Sequence, residues 1–157
     1  MVDDQTFVEE VQAMERTLYR VARSYLPGWE PCADAVQEAL TRAWAKRGTV
    51  KPEYFRAWLT RIVINECHNI SRHRKRVLPA PDIRLSADPP PDMTPLYDAL
   101  IHLPEKLRMP LLLHYLEGFP LADVARIIRV PEGTVKSRLH LARKALKLQL
   151  EEGDDNP

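Results

Sequence analysis

Between Pro131 and Leu146 the sequence reads PEGTVKSRLHLARKAL. Thr134, Lys136, Ser137, Arg138, His140, Arg143 and Lys144 are set around an apolar repeat of Val135, Leu139, Ala142 and Leu146. These side chains suit binding rather than bond breaking. Arg138 and Lys136 have the donors for guanine edges or phosphates. Thr134, Ser137 and the free N–H groups of a first helical turn suit phosphate oxygens. Glu132 has two uses, as acceptor from a cytosine amino group or as a partner of the helix dipole. The same charges also fit the solvated exterior of a helical bundle, so the surroundings must decide.

Three further groupings have chemical potential. Arg61 and Asn65 share one face of a helical stretch, and Arg72, Arg74, Lys75 and Arg76 follow without an acid. They suit phosphates, or the dipole at a helix end. Asp34, Gln37, Glu38 and Arg42 fall at i, i+3, i+4 and i+8, a polar stripe opposite Val36, Leu40 and Ala43. Cys67 with His68 and His73 is the nearest thing to a nucleophile with a base. On a helix, however, Cys67 and His68 point about 100° apart. There is no glycine-rich nucleophile turn, phosphate loop or second Cys/His pair at zinc spacing. We expect no catalysis, no metal and no cofactor. Cys32 and Cys67 do not make a disulfide framework.

The formal net charge is only +1, but it is a sum of separated poles. Residues 1–15 hold five acids and no base, while 126–147 hold seven Lys or Arg and one acid. A local basic pole is what a phosphate backbone senses. No apolar run is long enough to span a membrane, and the acidic start lacks the pattern of a signal peptide. Both point to a cytoplasmic protein that does not enter a membrane by itself.

The elements that must position these residues read as helices. Phe7, Val11, Met14, Leu18, Val21, Ala22 and Tyr25 form one stripe, stopped by Pro27-Gly28. A second helix fits 32–46, with Val36, Leu40, Ala43 and Trp44 inward. A third fits 53–75, with Phe55, Trp58, Leu59, Ile62, Val63 and Ile70 inward. Together they predict a three-helix bundle over 1–78. Pro79–Pro95 has six prolines in seventeen residues and reads as an extended linker over 79–95. Stretched, it reaches ~60 Å, against about 35 Å for one turn of DNA.

A second module covers 96–150, followed by an acidic tail over 151–157. Leu96–Leu103 and Pro104–Leu116 are helices, and Pro110 should bend the latter. Leu121–Ile128, a tight turn and a longer basic helix make the helix-turn-helix plan. Leu121, Val124, Ala125 and Ile128 face inward, Ala125 lets the helices approach, Val130 plugs the core, and Pro131 presets the next helix. With no strand-like alternation, the fold class is all-α: two small helical domains on a Pro-rich linker.

The stretch LPEKLRMPLLLHYLEGFPLADVARIIRVPEGTVKSRLHLARKAL resembles the C-terminal domain of bacterial RNA polymerase sigma factors, and more narrowly the small extracytoplasmic-function (ECF) group. DAVQEALTRAW (Asp34–Trp44) resembles the sigma-domain-2 segment that grips the polymerase core. FRAWLTRIVINECHNISRHRKR (Phe55–Arg76) resembles the promoter-facing segment that follows it. The likeness runs from about residue 7 to 147.

That resemblance implies a transcription-initiation subunit that works with the polymerase core (β and β′ subunits), promoter DNA and an anti-sigma factor. It implies that Asp34, Gln37, Glu38 and Arg42 face the core. Lys51, Tyr54, Arg61, Asn65, Arg72, Arg74, Lys75 and Arg76 then meet the −10 element. Glu132, Thr134, Lys136, Ser137, Arg138, His140 and Arg143 meet the −35 element. By the same resemblance the loop Arg47–Tyr54 forms the pocket for a flipped −10 base. The sequence departs from the family at Arg129, where glycine is common at the turn, at Pro120 in place of a polar cap, and at Pro110 in place of a helix former. The rival function is a stand-alone dimeric helix-turn-helix regulator.

Overall fold

The computed structural model describes residues 1–76 and 95–154, with side chains through Arg72 and again from Pro95 to Gln149. The linker expected over 79–95 lies outside the described residues, apart from Pro95. The chain divides into two compact units, 1–89 and 90–157. No strand occurs among the described residues.

In the first unit, helix α1 spans Asp4–Arg23. Asp3 caps it by accepting from the Thr6 N–H at 2.7 Å, which holds the Asp3 carboxyl below its usual value. Helix-type bonds continue past Arg23 as far as Leu26 N–H to Ala22 O. These bonds end just before Pro27-Gly28, and α2 (Trp29–Ala45) begins directly after it, with Gly28 at φ 92°. This helix begins three residues earlier than expected, because its first turn tolerates Pro31. The Trp29 ring stacks on Tyr19 at 4.6 Å. Two 3-10 turns, Arg47–Thr49 and Pro52–Tyr54, lead into α3 (Phe55–Arg76).

The three helices pack on one another. The buried face of α2 is made of small residues, namely Cys32, Ala35, Val36, Ala39 and Ala43. Small side chains let α1 and α3 approach closely, so larger groups are pushed to the rim. Leu40, expected inside, is half-buried, and Trp44 is 40% exposed with its edge against Phe7 at 5.2 Å. Because α3 packs against both neighbours, its buried arc is wide: Ile64, Glu66 and Cys67 join Phe55, Leu59 and Val63. Trp58, Ile62 and Ile70 are half-buried.

In the second unit, α4 (Pro95–Ile101) already begins at Pro95, the expected last linker residue. Helix α5 spans Glu105–Leu111 and runs into a wider π turn at Leu112–Leu116. Pro110 has no N–H to bond back with, and the disturbance settles just beyond it. There Glu117 N–H reaches five residues back to Leu112 O, and Phe119 N–H six back to Leu113 O. Gly118, at φ 77°, closes this end, a conformation that suits glycine.

Helix α6 spans Leu121–Ile128 and α7 spans Glu132–Asp154, so α7 carries on into the acidic tail. Helices α4, α5 and α6 all pack on α7. Val135, Leu139 and Ala142 are buried as the spacing predicts, and Leu146 is half-buried. On α6 the deep residues are Val124 and Ile127, with Ile128, Leu121 and Ala125 half-buried. Contact with α5 on one side and α7 on the other turns Ile127 inward.

The turn between α6 and α7 has the left-handed geometry in which glycine is cheapest. Arg129 sits at φ 59°, ψ 49°, the one non-glycine residue with positive φ among those described. Its N–H and that of Val130 both bond to Ala125 O. A left-handed residue with a Cβ costs roughly 1–2 kcal/mol, while glycine loses about 0.4–1 kcal/mol more chain entropy on folding. Arg129→Gly is therefore expected to stabilise the second unit by ~0.5 kcal/mol net. A urea titration followed by helix circular dichroism checks this: the midpoint should rise.

Candidate nucleic-acid interface

The amino end of α7 stands open while its inward face is sealed. Pro131 O accepts from the Thr134 and Val135 N–H groups at 3.0 and 3.1 Å. The first-turn N–H groups before them have no intrahelical acceptor. Glu132, Lys136, Ser137 and His140 are exposed, and Thr134 and Arg138 are half-buried on the shoulders of the helix. Ser137 donates its hydroxyl to Gly133 O at 3.1 Å, leaving the oxygen able to accept. Lys136, His140, Arg143 and Lys147 fall at i, i+4, i+7 and i+11, a basic line along one side. Arg143 is tied within the fold: its Nη1 donates to the Tyr115 hydroxyl, and the guanidinium lies 5.7 Å from the ring centre.

In the first unit, Asp34, Gln37 and Glu38 are exposed on α2. Arg42 is engaged internally, with Nε 3.3 Å from Glu38 Oε1 and 2.7 Å from Glu66 Oε1. Glu66 is only 5% exposed, so Arg42 is the countercharge of a buried carboxylate. On α3, Arg61, Asn65 and Arg72 lie within about 40° of one line. Arg61 and Asn65 are half-buried and Arg72 is exposed, donating to Asn69 Oδ1 at 3.3 Å. Arg74, Lys75 and Arg76 continue the helix, their side chains outside the described residues.

Lys51 is exposed between the two 3-10 turns, and Tyr54 is half-buried in the second. Arg47 pins this loop. It bonds Asp4 Oδ1 at 2.9 Å and Trp44 O at 2.7 Å, and lies 3.7 Å over the Trp44 ring. The basic residues are thus gathered in two places, one per unit.

A family model matches the sequence of each unit. The sigma-70 region 2 model matches residues 11–77, and the sigma-70 region 4 model matches 93–146. RNA polymerase sigma factor SigV of Bacillus subtilis is 30% identical over 146 residues, covering 89% of this chain and 88% of that protein. ECF RNA polymerase sigma factor SigM of Mycobacterium tuberculosis is 33% identical over 150 residues, covering 92% and 76%. The chain belongs to the sigma-70 family, in its ECF group. Among solved structures, the sigma factor RpoE from Bartonella quintana, in complex with the anti-sigma factor NepR, superposes with a TM-score of 0.72 at 27% identity. The alignment covers 92% of this sigma factor and 96% of that chain.

The region 2 match takes in the α2 face and the α3 line, and the region 4 match takes in α7 and the turn before it. Three residues of this sigma factor escaped the sequence reading: Glu66, Arg47 as a brace, and Tyr115. Each acts through a partner far away in sequence, and no local pattern announces that. The Cys67 grouping loses its chemistry. Burial, helped by neighbouring Cys32 and Glu66, pushes the Cys67 thiol up to about 12, so no thiolate forms near neutral pH. His68 meets Tyr25 edge-on at 5.1 Å. No described helix is long and apolar enough to cross a membrane.

Proposed function

We propose that this sigma factor divides promoter recognition between its units while core polymerase performs the chemistry. The first unit docks on the core through Asp34, Gln37 and Glu38. It receives the −10 element as single strand along Lys51, Tyr54, Arg61, Asn65 and the basic end of α3. The second unit lays the amino end of α7 in the major groove of the −35 duplex. Opening the −10 duplex costs a few kcal/mol per unstacked step, and a base stacked on an aromatic side chain such as Tyr54 returns about 1–3 kcal/mol. The chain catalyses nothing itself and works in the cytoplasm, held by an anti-sigma factor until released. The complex formed by the Bartonella quintana relative supports that control.

The observation that carries this reading is the contrast on α7. Val135, Leu139 and Ala142 are sealed, while Glu132, Lys136, Ser137 and His140 around them are exposed. The test is run-off transcription with purified core polymerase on a pool of genomic fragments. Discrete transcripts that need both components are expected. Tight, specific DNA binding by a dimer without polymerase would replace this reading with a stand-alone regulator. Arg138→Ala should weaken binding at the cognate −35 element by about 1–3 kcal/mol and relax selectivity there. Equal selectivity in a competition assay would remove Arg138 from the reading head.

A further inference from the structure

The α6–α7 turn holds a cation whose backbone conformation is unfavourable and whose charge meets no partner among the described residues. Arg129 is exposed, left-handed, and outside every described ion pair, side-chain hydrogen bond and ring contact. Several other surface arginines are engaged, Arg42 with Glu66, Arg47 with Asp4, Arg56 with Glu10 and Arg143 with Tyr115, and exposed Arg16, which is not, lies within α1 at no conformational cost. No side-chain contact among the described residues offsets the strain at Arg129. The side chain borders an open depression between α6 and α7 whose lining includes Ala122, Ala125, Arg126 and Glu132. The two alanines keep its floor shallow, and the exposed amino end of α7 forms its far rim. A duplex whose major groove takes in the start of α7 brings a phosphate strand past this turn.

We propose that Arg129 is a phosphate-binding residue of the −35 duplex, retained at a position that glycine would fill more stably. The inference rests on the reading of α7 as the duplex-binding helix. A guanidinium at the turn adds one charge-assisted contact that fixes register without reading sequence. It also makes Arg129 a site where stability and binding pull in opposite directions. The sequence gives no sign of this beyond the missing glycine, because only the backbone angle shows what Arg129 costs.

The experiment measures binding of reconstituted holoenzyme to its promoter duplex, obtained from the run-off pool, across a salt series. Arg129→Gly should raise the urea midpoint of the sigma factor yet weaken promoter binding roughly tenfold, as for loss of one charged hydrogen bond. The slope of log affinity against log salt should become shallower by about 0.9, so that between 50 and 200 mM salt the variant loses about 3.5-fold less affinity than the parent. Arg129→Lys should keep the parent slope, and relative preference among −35 sequences should not change in either variant. An Arg129→Gly holoenzyme with parent affinity and parent slope overturns the proposal. A parent holoenzyme indifferent to the −35 sequence overturns it together with the reading of α7. A change in sequence preference would make Arg129 a base contact and refute the phosphate assignment.

Discussion

Replacing Gln37 and Glu38 together with lysine is expected to abolish capture of core polymerase while the helix content by circular dichroism stays that of the parent. Both side chains are exposed on α2, on the side away from Ala35, Ala39 and Ala43, so nothing in the core is disturbed. Glu38 does contact Arg42, but that pair is about half exposed on both sides and contributes little to stability. Arg42 keeps its closer partner, Glu66, in the variant. If this face docks on core as proposed, the effect there is far larger. Two cations would replace an amide and a carboxylate, and like charges brought together at an interface cost several kcal/mol. A loss of at least about 2 kcal/mol, roughly 30-fold in affinity, is expected. A pull-down or titration with purified core measures it, and retention at parent affinity would remove this face of α2 from the docking surface.

The second large effect is on stability. Leu112→Ala should remove a large fraction of the second unit's stability, so that it unfolds at a lower temperature and urea concentration than the first. Leu112 is fully buried at the start of the π turn, where α5 supports α7. A buried leucine truncated to alanine costs about 2–5 kcal/mol. A unit comprising residues 90–157 has a total stability of only about 3–10 kcal/mol, at roughly 0.05–0.15 kcal/mol per residue. On warming or in mild urea the amide spectrum should then lose the dispersed signals of α4 to α7 while those of α1 to α3 remain. Under those conditions core capture through α2 should persist, and binding to the −35 duplex should be lost. Loss of both sets of signals would show that the units fold as one body.

Much of this was legible in the residues themselves. The helical period of Phe7, Met14, Leu18 and Val21 placed α1, and that of Val135, Leu139 and Ala142 placed α7, because a 3.6-residue repeat of apolar groups has one way to be buried. The outward basic set of α7 followed from the same count, as did the polar face of α2. Local chemistry also marked Arg129, where the turn wants a residue that accepts positive φ.

Tertiary packing decided the rest. How far a helix sinks depends on how many neighbours it has. Helix α3, held by α1 and α2, buries Glu66 and Cys67 beyond its apolar stripe, and α6, held by α5 and α7, buries Ile127. Leu40 and Trp44 went to the rim because alanines, not large residues, permit close approach of helices, and sequence periodicity weighs hydrophobicity rather than the space between axes. The distant partners of Arg42, Arg47 and Arg143 were hidden for a related reason. An ion pair or cation–π contact across 24 to 43 positions of chain, as from Arg42 to Glu66 or Asp4 to Arg47, exists only once separate helices have met, and no spacing rule along one helix can encode it.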